Sequence, residues 1–300
     1  MEFYANLHTH STHSDGKFTP AELARRAAAE GYRAAALTDH DTATGYTEFK
    51  AECDRLGLEC IFGVEFTAPC ASLKRLDGAD ENFHLTAYHF DPEYPPMREY
   101  LRQMALRETD QTRILFERGL REELLHDITW DEVLEHNAGV AWLCNEHVFR
   151  AMKAKGLATD LDYYDFFLTV YGDRRHEVPP SYPFKTAEEI IRLVHEAGGI
   201  VLVAHPHEQL RHIDALIEMG IDGLEAWHPD LTEEEKMEAY RIGLEKGLYI
   251  SGGSDHSGLC GGMYESFDEP EACPFWIEPR SVGTTHHHFE EIRTRMKNRT

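Results

Sequence analysis

Side chains of the kind that hold divalent cations recur along this 300-residue sequence in short, widely separated motifs. They are His8 and His10 of His8-Thr9-His10, Asp15 of Ser14-Asp15-Gly16, His40 of Asp39-His40, Glu65, His84, His205, His228, and Asp255 with His256. Imidazole mixed with carboxylate suits manganese, iron or zinc rather than calcium, and without an obvious cysteine ligand a structural zinc knot is not indicated. Taken singly, each histidine is more often a solvated or hydrogen-bonded residue than a ligand. Glu65 suits a bridging position, because one carboxylate can bind two ions and hold them at the separation of about 4 Å that two-metal hydrolysis uses. Such a cluster performs attack by an activated water, with Glu65, His205 and His228 as catalytic candidates; His205, His228 or His40 could protonate the leaving group.

A repeating pattern of strand and helix must gather these residues. Phe3 to Leu7 is short and apolar and runs directly into His8. Thr19-Pro20-Ala21-Glu22 then opens a helix, with Thr at the N-cap, Pro first and Glu completing a capping box, and Gly31 ends it. A strand over 33–38, a helix over 45–56 and strands over 59–66 and 83–90 follow. The rhythm breaks at Asp91-Pro92, and charged helical patterns run over 97–125, 130–136 and 145–155. It resumes after Val178-Pro179-Pro180 with a helix capped by Thr186 and Glu189, a strand over 200–204, a helix over 208–219, a strand over 223–227, a helix over 232–246 and a strand over 248–252. About seven strands joined by right-handed crossovers predict an α/β fold, a distorted seven-stranded (β/α)7 barrel formed by 1–91 and 183–300, with a helical insertion over 92–182. The carboxyl ends of barrel strands share one mouth, and nearly every predicted strand ends on a ligand-type residue. Independent solvated histidines give no reason for that recurrence.

The net charge of −24, from 54 acidic and 30 basic residues, argues against a surface for long nucleic acid or an anionic membrane. A small anion remains compatible, because bound cations reverse the potential inside one pocket. With no apolar run of about 20 residues and no basic-then-apolar leader, a cytoplasmic location is expected. Cys53, Cys60, Cys70, Cys144, Cys260 and Cys273 form no CxxC pair and are expected as reduced thiols. Gly261-Gly262 lacks the strand-to-helix context of a nucleotide fingerprint, and His286-His287-His288 reads as the first turn of a helix continuing through Phe289. Lys17, His147, Arg150, Arg174, Arg175 and His176 could grip phosphate, although basic residues on exposed helices are usually just solvated. His207, beside a proline at a strand end, is a candidate for the pocket wall.

The segments Asn6 to Gly16, Leu37-Thr38-Asp39-His40-Asp41, Gly63-Val64-Glu65, His84 to Tyr88, Ala204-His205-Pro206 and Gly252-Gly253-Ser254-Asp255 span almost the whole chain. In that order they resemble the PHP (polymerase and histidinol phosphatase) superfamily of metal-dependent phosphoesterases. The resemblance implies a distorted seven-stranded barrel with up to three metals. His8, His10, Glu65 and Asp255 would hold the first, Glu65, His84 and His205 the second, and Asp15 and His40 the third with a histidine near Asp255. The family places that histidine two residues after the aspartate, whereas His256 follows Asp255 directly. Either the loop bends to bring His256 to the cluster, or His256 points elsewhere and the cluster is binuclear. The helical segment resembles the insertion of the nucleotide and nucleoside-bisphosphate phosphatase branch. Where that branch carries Arg-Pro-His before a helix, this chain has Asn145-Glu146-His147, without the phosphate-gripping arginine. The expectation is hydrolysis of a small anionic phosphate monoester or nucleotide with two or three divalent ions, Lys17, His147, Arg150, Arg175 and His207 being the substrate contacts. A hydrolase of the same metal type acting on a C–N or C–O bond, and a non-catalytic, metal-stabilised binding module, stand as alternatives.

Overall fold

Alternation along short strands sorts side chains into two layers. In the computed structural model, which describes residues 2–159, 162–257 and 277–297, Ala34 and Ala36 of β2 (Ala34–Leu37) share a buried cluster with Ala5, Leu7, Ile61, Tyr88, Ile200 and Leu202, while Ala35 and Leu37 belong to a larger one beneath the helices. The first cluster fills the inside of a barrel. Its alanines leave room for Tyr88, whose hydroxyl donates to the Leu7 carbonyl at 2.8 Å.

Seven strands pair in chain order: β1 (Ala5–Asn6), β2, β3 (Glu59–Lys74), β4 (Asp80–Tyr88), β5 (Ile200–Val203), β6 (Gly223–Trp227) and β7 (Tyr249–Gly252). The ring closes where Leu7 N donates to Gly252 O at 3.2 Å and Asp255 N to His8 O at 2.8 Å. The expected regular succession of crossovers is not kept. β3 runs well beyond Phe66, turns through Arg75 to Ala79, and pairs antiparallel with β4, which is also antiparallel to β5. That connection is too short for a helical crossover, which needs a dozen or more residues. Because β4 runs against its neighbours, His84 reaches the mouth from mid-strand, opposite Thr67, rather than from a strand end. Glu65 likewise lies inside β3.

α1 (Pro20–Glu30) and α2 (Tyr46–Leu56) clad the first strands. Between β4 and β5 come α3 (Pro95–Arg121), α4 (Trp130–His136), α5 (Asn145–Ala154) and the short α6 (Tyr163–Phe166). Met97, Tyr100 and Met104 of α3 pack in the barrel's outer core, whereas Leu115 and Phe116 join Trp130, Val148, Phe149 and Tyr171 in a separate helical core. One helix therefore spans both bodies. α7 (Ala187–Glu196), α8 (Ile213–Met219) and α9 (Glu233–Lys246) clad the later strands. The helix expected over 208–219 begins instead as a 3-10 turn, His207–His212, before α8. α10 (His286–Lys297) places Phe289 and Ile292 in the interior cluster. Thr19, Thr129, Thr186 and Thr232 each complete a capping box with a glutamate three residues on, and each cap contributes about 1 kcal/mol.

Cys53, Cys60, Cys70 and Cys144 are free thiols; Cys260, Cys273 and Gly261-Gly262 lie outside the described residues. Among the described residues no helix is long and apolar enough to cross a membrane. A Cβ on Gly253 would sit 2.4 Å from His8 N and Cβ at the closing seam. Gly253→Ala should therefore destabilise the fold by about 1–3 kcal/mol, as overpacking does, read as a lower midpoint in urea unfolding.

Candidate metal centre

Glu65 is only 1 % exposed, yet neither of its carboxylate oxygens has a hydrogen-bond partner. Imidazole nitrogens ring it instead. Its Oε2 lies 3.2 Å from His8 Nε2, 3.1 Å from His10 Nε2 and 3.2 Å from His40 Nδ1; its Oε1 lies 3.4 Å from His84 Nδ1 and 3.3 Å from His205 Nε2. The Nε2 atoms of His8 and His10 face one another at 3.1 Å. His8 Nδ1 sits 3.1 Å from Glu225 Oε2, so its proton belongs on Nδ1 and the Nε2 lone pair turns inward. His40 Nδ1 and His84 Nδ1 are buried without hydrogen-bond partners as well. Orphaned donor atoms of this chemistry, gathered around one carboxylate, fit divalent cations.

A second corner forms around Asp15. The backbone turns at Asp255 through φ +52° and brings His256 Nε2 to 2.8 Å from Asp15 Oδ1 and its Nδ1 to 2.6 Å from Asp255 Oδ1. The His256 ring stacks on His10 with centroids 4.2 Å apart, and His40 Nε2 stands 3.5 Å from Asp15 Oδ2. Of the two courses open to the loop, it takes the bend that places His256 against Asp15, His10 and His40. Asp41, His205 and His207 also hold positive φ, of +50°, +26° and +39°. Such strain in non-glycine residues persists where surrounding structure over-determines it.

Charge explains the ionisation of the set. Burial alone would lower the pKa of His8, but Glu65, Glu225 and Asp255 hold it well above 6.5. Burial acts the same way on His256, and Asp15 and Asp255 raise it. Burial pushes the carboxyls of Glu65, Asp255 and Asp15 upward; the surrounding histidines nevertheless keep all three well below the ordinary range. At His40 burial prevails and its pKa falls to about 4.

Several residues nominated from sequence do other work. His228, expected as a catalytic proton donor, is fully buried; its Nδ1 accepts from Asp230 N at 3.2 Å, so its Nε2 proton points to Asp255 Oδ2, also at 3.2 Å. It orients Asp255. His147, expected to grip substrate, is fully buried, with Nδ1 accepting from Cys144 N and Nε2 donating to Thr12 O, both at 3.0 Å. No ring nitrogen is left for phosphate. Arg150 donates to the Gly16 carbonyl, Arg174 pairs with Glu122, and His176 is exposed. Lys17 stands with its Nζ 5.8 Å from the Phe18 ring centroid. Arg175 does reach the mouth: with Asp15, His40, His84, Arg107, Glu108 and Trp142 it lines a cavity of about 270 Å³. His207 lines a second cavity, of about 370 Å³, with His84 and His205, and its Nδ1 lies 3.2 Å from Glu235.

Glu225, Arg107 and Trp142 are not among the residues the sequence nominates, and Asp39 is nominated only beside His40 at a strand end. Glu225 carried a signal, a lone acid in the apolar run Gly-Leu-Glu-Ala-Trp; it serves His8 and accepts from His205 N at 3.0 Å. Asp39 accepts from Ser11 N and Ser14 Oγ, both at 2.6 Å, and from Ser11 Oγ at 2.7 Å. Arg107, stacked 3.9 Å over Phe184, and Trp142, its ring centroid 6.3 Å from that of His40 with the planes at 29°, have no local signature.

The same centre-bearing span matches the sequence profile of a known family: the chain belongs to the PHP domain family, whose profile covers residues 6–253. The protein is thus a metal-dependent hydrolase of phosphoric esters. Its relatives include a phosphoribosyl 1,2-cyclic phosphate 1,2-diphosphodiesterase of Eggerthella lenta (25% identical; 85% of this chain and 95% of that one). A 5'-3' exoribonuclease of Haemophilus influenzae is 29% identical (85% and 90%), and a 3',5'-nucleoside bisphosphate phosphatase of Chromobacterium violaceum is 26% identical (91% and 95%). In fold the chain resembles a protein of Bifidobacterium adolescentis provisionally described as a metal-dependent phosphoesterase, with TM-score 0.72, 24% identity, and 98% and 96% coverage.

In Glu225→Gln an amide N–H would oppose the His8 or His205 N–H, so divalent-ion affinity should fall by about 10–100-fold, read by competition with a coloured chelator. Histidines with raised folded pKa values stabilise the fold below their unfolded value near 6.5 and cease to do so as pH climbs through the folded value. Protein stripped of divalent ions should therefore melt at progressively lower temperature as the pH climbs above about 6.5, and added Mn²⁺ should remove that slope while releasing protons.

Proposed function

We propose that this chain hydrolyses a small phosphate monoester, such as a nucleotide or nucleoside bisphosphate, using two or three manganese, iron or zinc ions. The carrying observation is Glu65, a buried carboxylate with both oxygens unpartnered and five imidazoles around it. On this reading His8, His10, Glu65 and Asp255 hold one ion, Glu65, His84 and His205 a second, and Asp15, His40 and His256 a third. Bound there, divalent ions supply Lewis-acid polarisation of a phosphoryl oxygen and lower the pKa of water from about 15.7 towards 7.

The chain's own residues orient and enclose. His228 occupies Asp255 Oδ2, leaving Oδ1 towards the centre, and Glu225 fixes His8 in the tautomer that faces inward. Trp142 and Arg107 wall the cavity beside His40, where they exclude water and add positive charge. Arg175 bonds both oxygens of buried Glu108 at 2.6 Å, so its charge is largely matched. Such a wall suits one compact anionic group better than a polyanion. On this reading His228 is engaged by Asp255 while His40 and His205 hold ions, so none of the three is left to pass a proton to the leaving oxygen.

The net charge of −24 supports a small substrate over long nucleic acid, although the Haemophilus relative makes oligoribonucleotide ends the competing class. Free thiols suit a cytoplasmic location. The test is phosphate release from nucleoside 3',5'-bisphosphates, mononucleotides, sugar phosphates and 5'-phosphorylated oligoribonucleotides, beside amide and lactone hydrolysis, with Glu65→Ala throughout. Small monoesters should release phosphate and Glu65→Ala should fall to background. Amide or lactone turnover without phosphate would move the activity to C–N or C–O bonds, and equal rates in both proteins would make the barrel a binding module.

A further inference from the structure

Loop 11–18 carries Asp15 and is gripped from two sides. On the barrel side Asp39 takes Ser11 N, Ser11 Oγ and Ser14 Oγ. On the other side three residues spaced by three at the start of α5 each meet a carbonyl of the loop. Cys144 Sγ lies 3.8 Å from Ser14 O, His147 Nε2 donates to Thr12 O at 3.0 Å, and Arg150 Nη2 donates to Gly16 O. Positions three apart lie on one helical stripe, so this is a continuous seam.

The seam is built at both ends. Gly16 packs so closely that a Cβ there would lie 2.0 Å from His10 O. α5 is itself held in the helical core: Asn137 Nδ2 donates to Val133 O at 2.8 Å and to His147 O at 3.1 Å, and Asn145 Nδ2 donates to Tyr163 Oη at 2.8 Å. Val148 and Phe149 are buried in that same core. The insertion thus reaches the metal centre through backbone, without contributing a ligand.

We propose that His147 and Arg150 are positioning residues which, by holding the carbonyls of Thr12 and Gly16, fix Asp15 beside His40 and His256 and so determine whether the third cation site fills. The inference rests on the reading of Asp15, His40 and His256 as ligands. It gives the insertion a role in metal occupancy apart from enclosing substrate. A backbone displaced by even part of an ångström would spoil the convergence a cation requires.

Equilibrium dialysis of the full chain against graded Mn²⁺, with elemental analysis of manganese per chain, tests it. Asp15→Asn, Arg150→Met and His147→Leu should each bind one equivalent fewer than wild type, or bind the third at least about 10-fold more weakly. His147→Gln, whose amide can still donate to Thr12 O, should restore most of it. The deficit should appear in kcat at saturating substrate rather than in KM. If Asp15→Asn loses an equivalent while Arg150→Met and His147→Leu bind as wild type, the positioning role is overturned and the third site stands. If Asp15→Asn binds as wild type, Asp15 is not a ligand and the inference falls with that reading. Arg150 and His147 make separate contacts, so either variant serves if the other does not fold.

Discussion

A carboxylate removed from water without a hydrogen bond must be met by positive charge, and Glu65 imposes that requirement on the whole mouth of the barrel. Five imidazoles from four segments converge on it, His8 and His10 from the loop after β1 and His40, His84 and His205 each from a separate strand or strand-end loop. Nothing local could assemble them. Alanines in the barrel's interior, with Tyr88 as filler, keep it narrow, and a narrow barrel brings residues of opposite strands close enough to converge.

The ligand-type residues are in turn held by neighbours that do not face the centre. Glu225 orients His8 and tethers the backbone at His205; His228 turns Asp255; Asp39 braces the loop that carries Asp15. Backbone with positive φ is held at His205 by Glu225, at Asp255 by His228, at Asp41 by the Thr67 N–H bond to its side chain and at His207 by Glu235. A centre of this kind is rigid through its supports, and its chemistry depends on them as much as on the donors themselves.

The helical insertion shares a helix with the barrel and is not an appended lid. The first turns of α3 complete the barrel's outer core while its last turns begin a separate one. Arg107, Glu108 and Trp142 therefore stand over the mouth on a support continuous with the barrel, and α5 bonds the backbone of the loop that carries Asp15. The cavity wall and the side chains gathered around Glu65 and Asp15 consequently belong to one body.

Hydrophobic alternation, capping boxes and ligand types are local patterns, so the period of strand and helix, the capping of α1 and α7, the seven-strand count and the recurrence of imidazole and carboxylate at one mouth are legible in the sequence alone. It could not reveal that β3 and β4 form an antiparallel hairpin, since a strand's direction depends on what it pairs with, so His84 was expected at a strand end although it lies mid-strand. Nor could it separate His147 and His228, whose nitrogens are consumed by Thr12 O, Cys144 N, Asp230 N and Asp255, from histidines free to act. The turn of His256 to Asp15, the places of Glu225 and Asp39 behind the centre and the wall made by Arg107 and Trp142 emerge on folding alone. Each is a contact between segments distant in the chain, and the partner of a polar group is fixed by packing rather than by its neighbours in sequence.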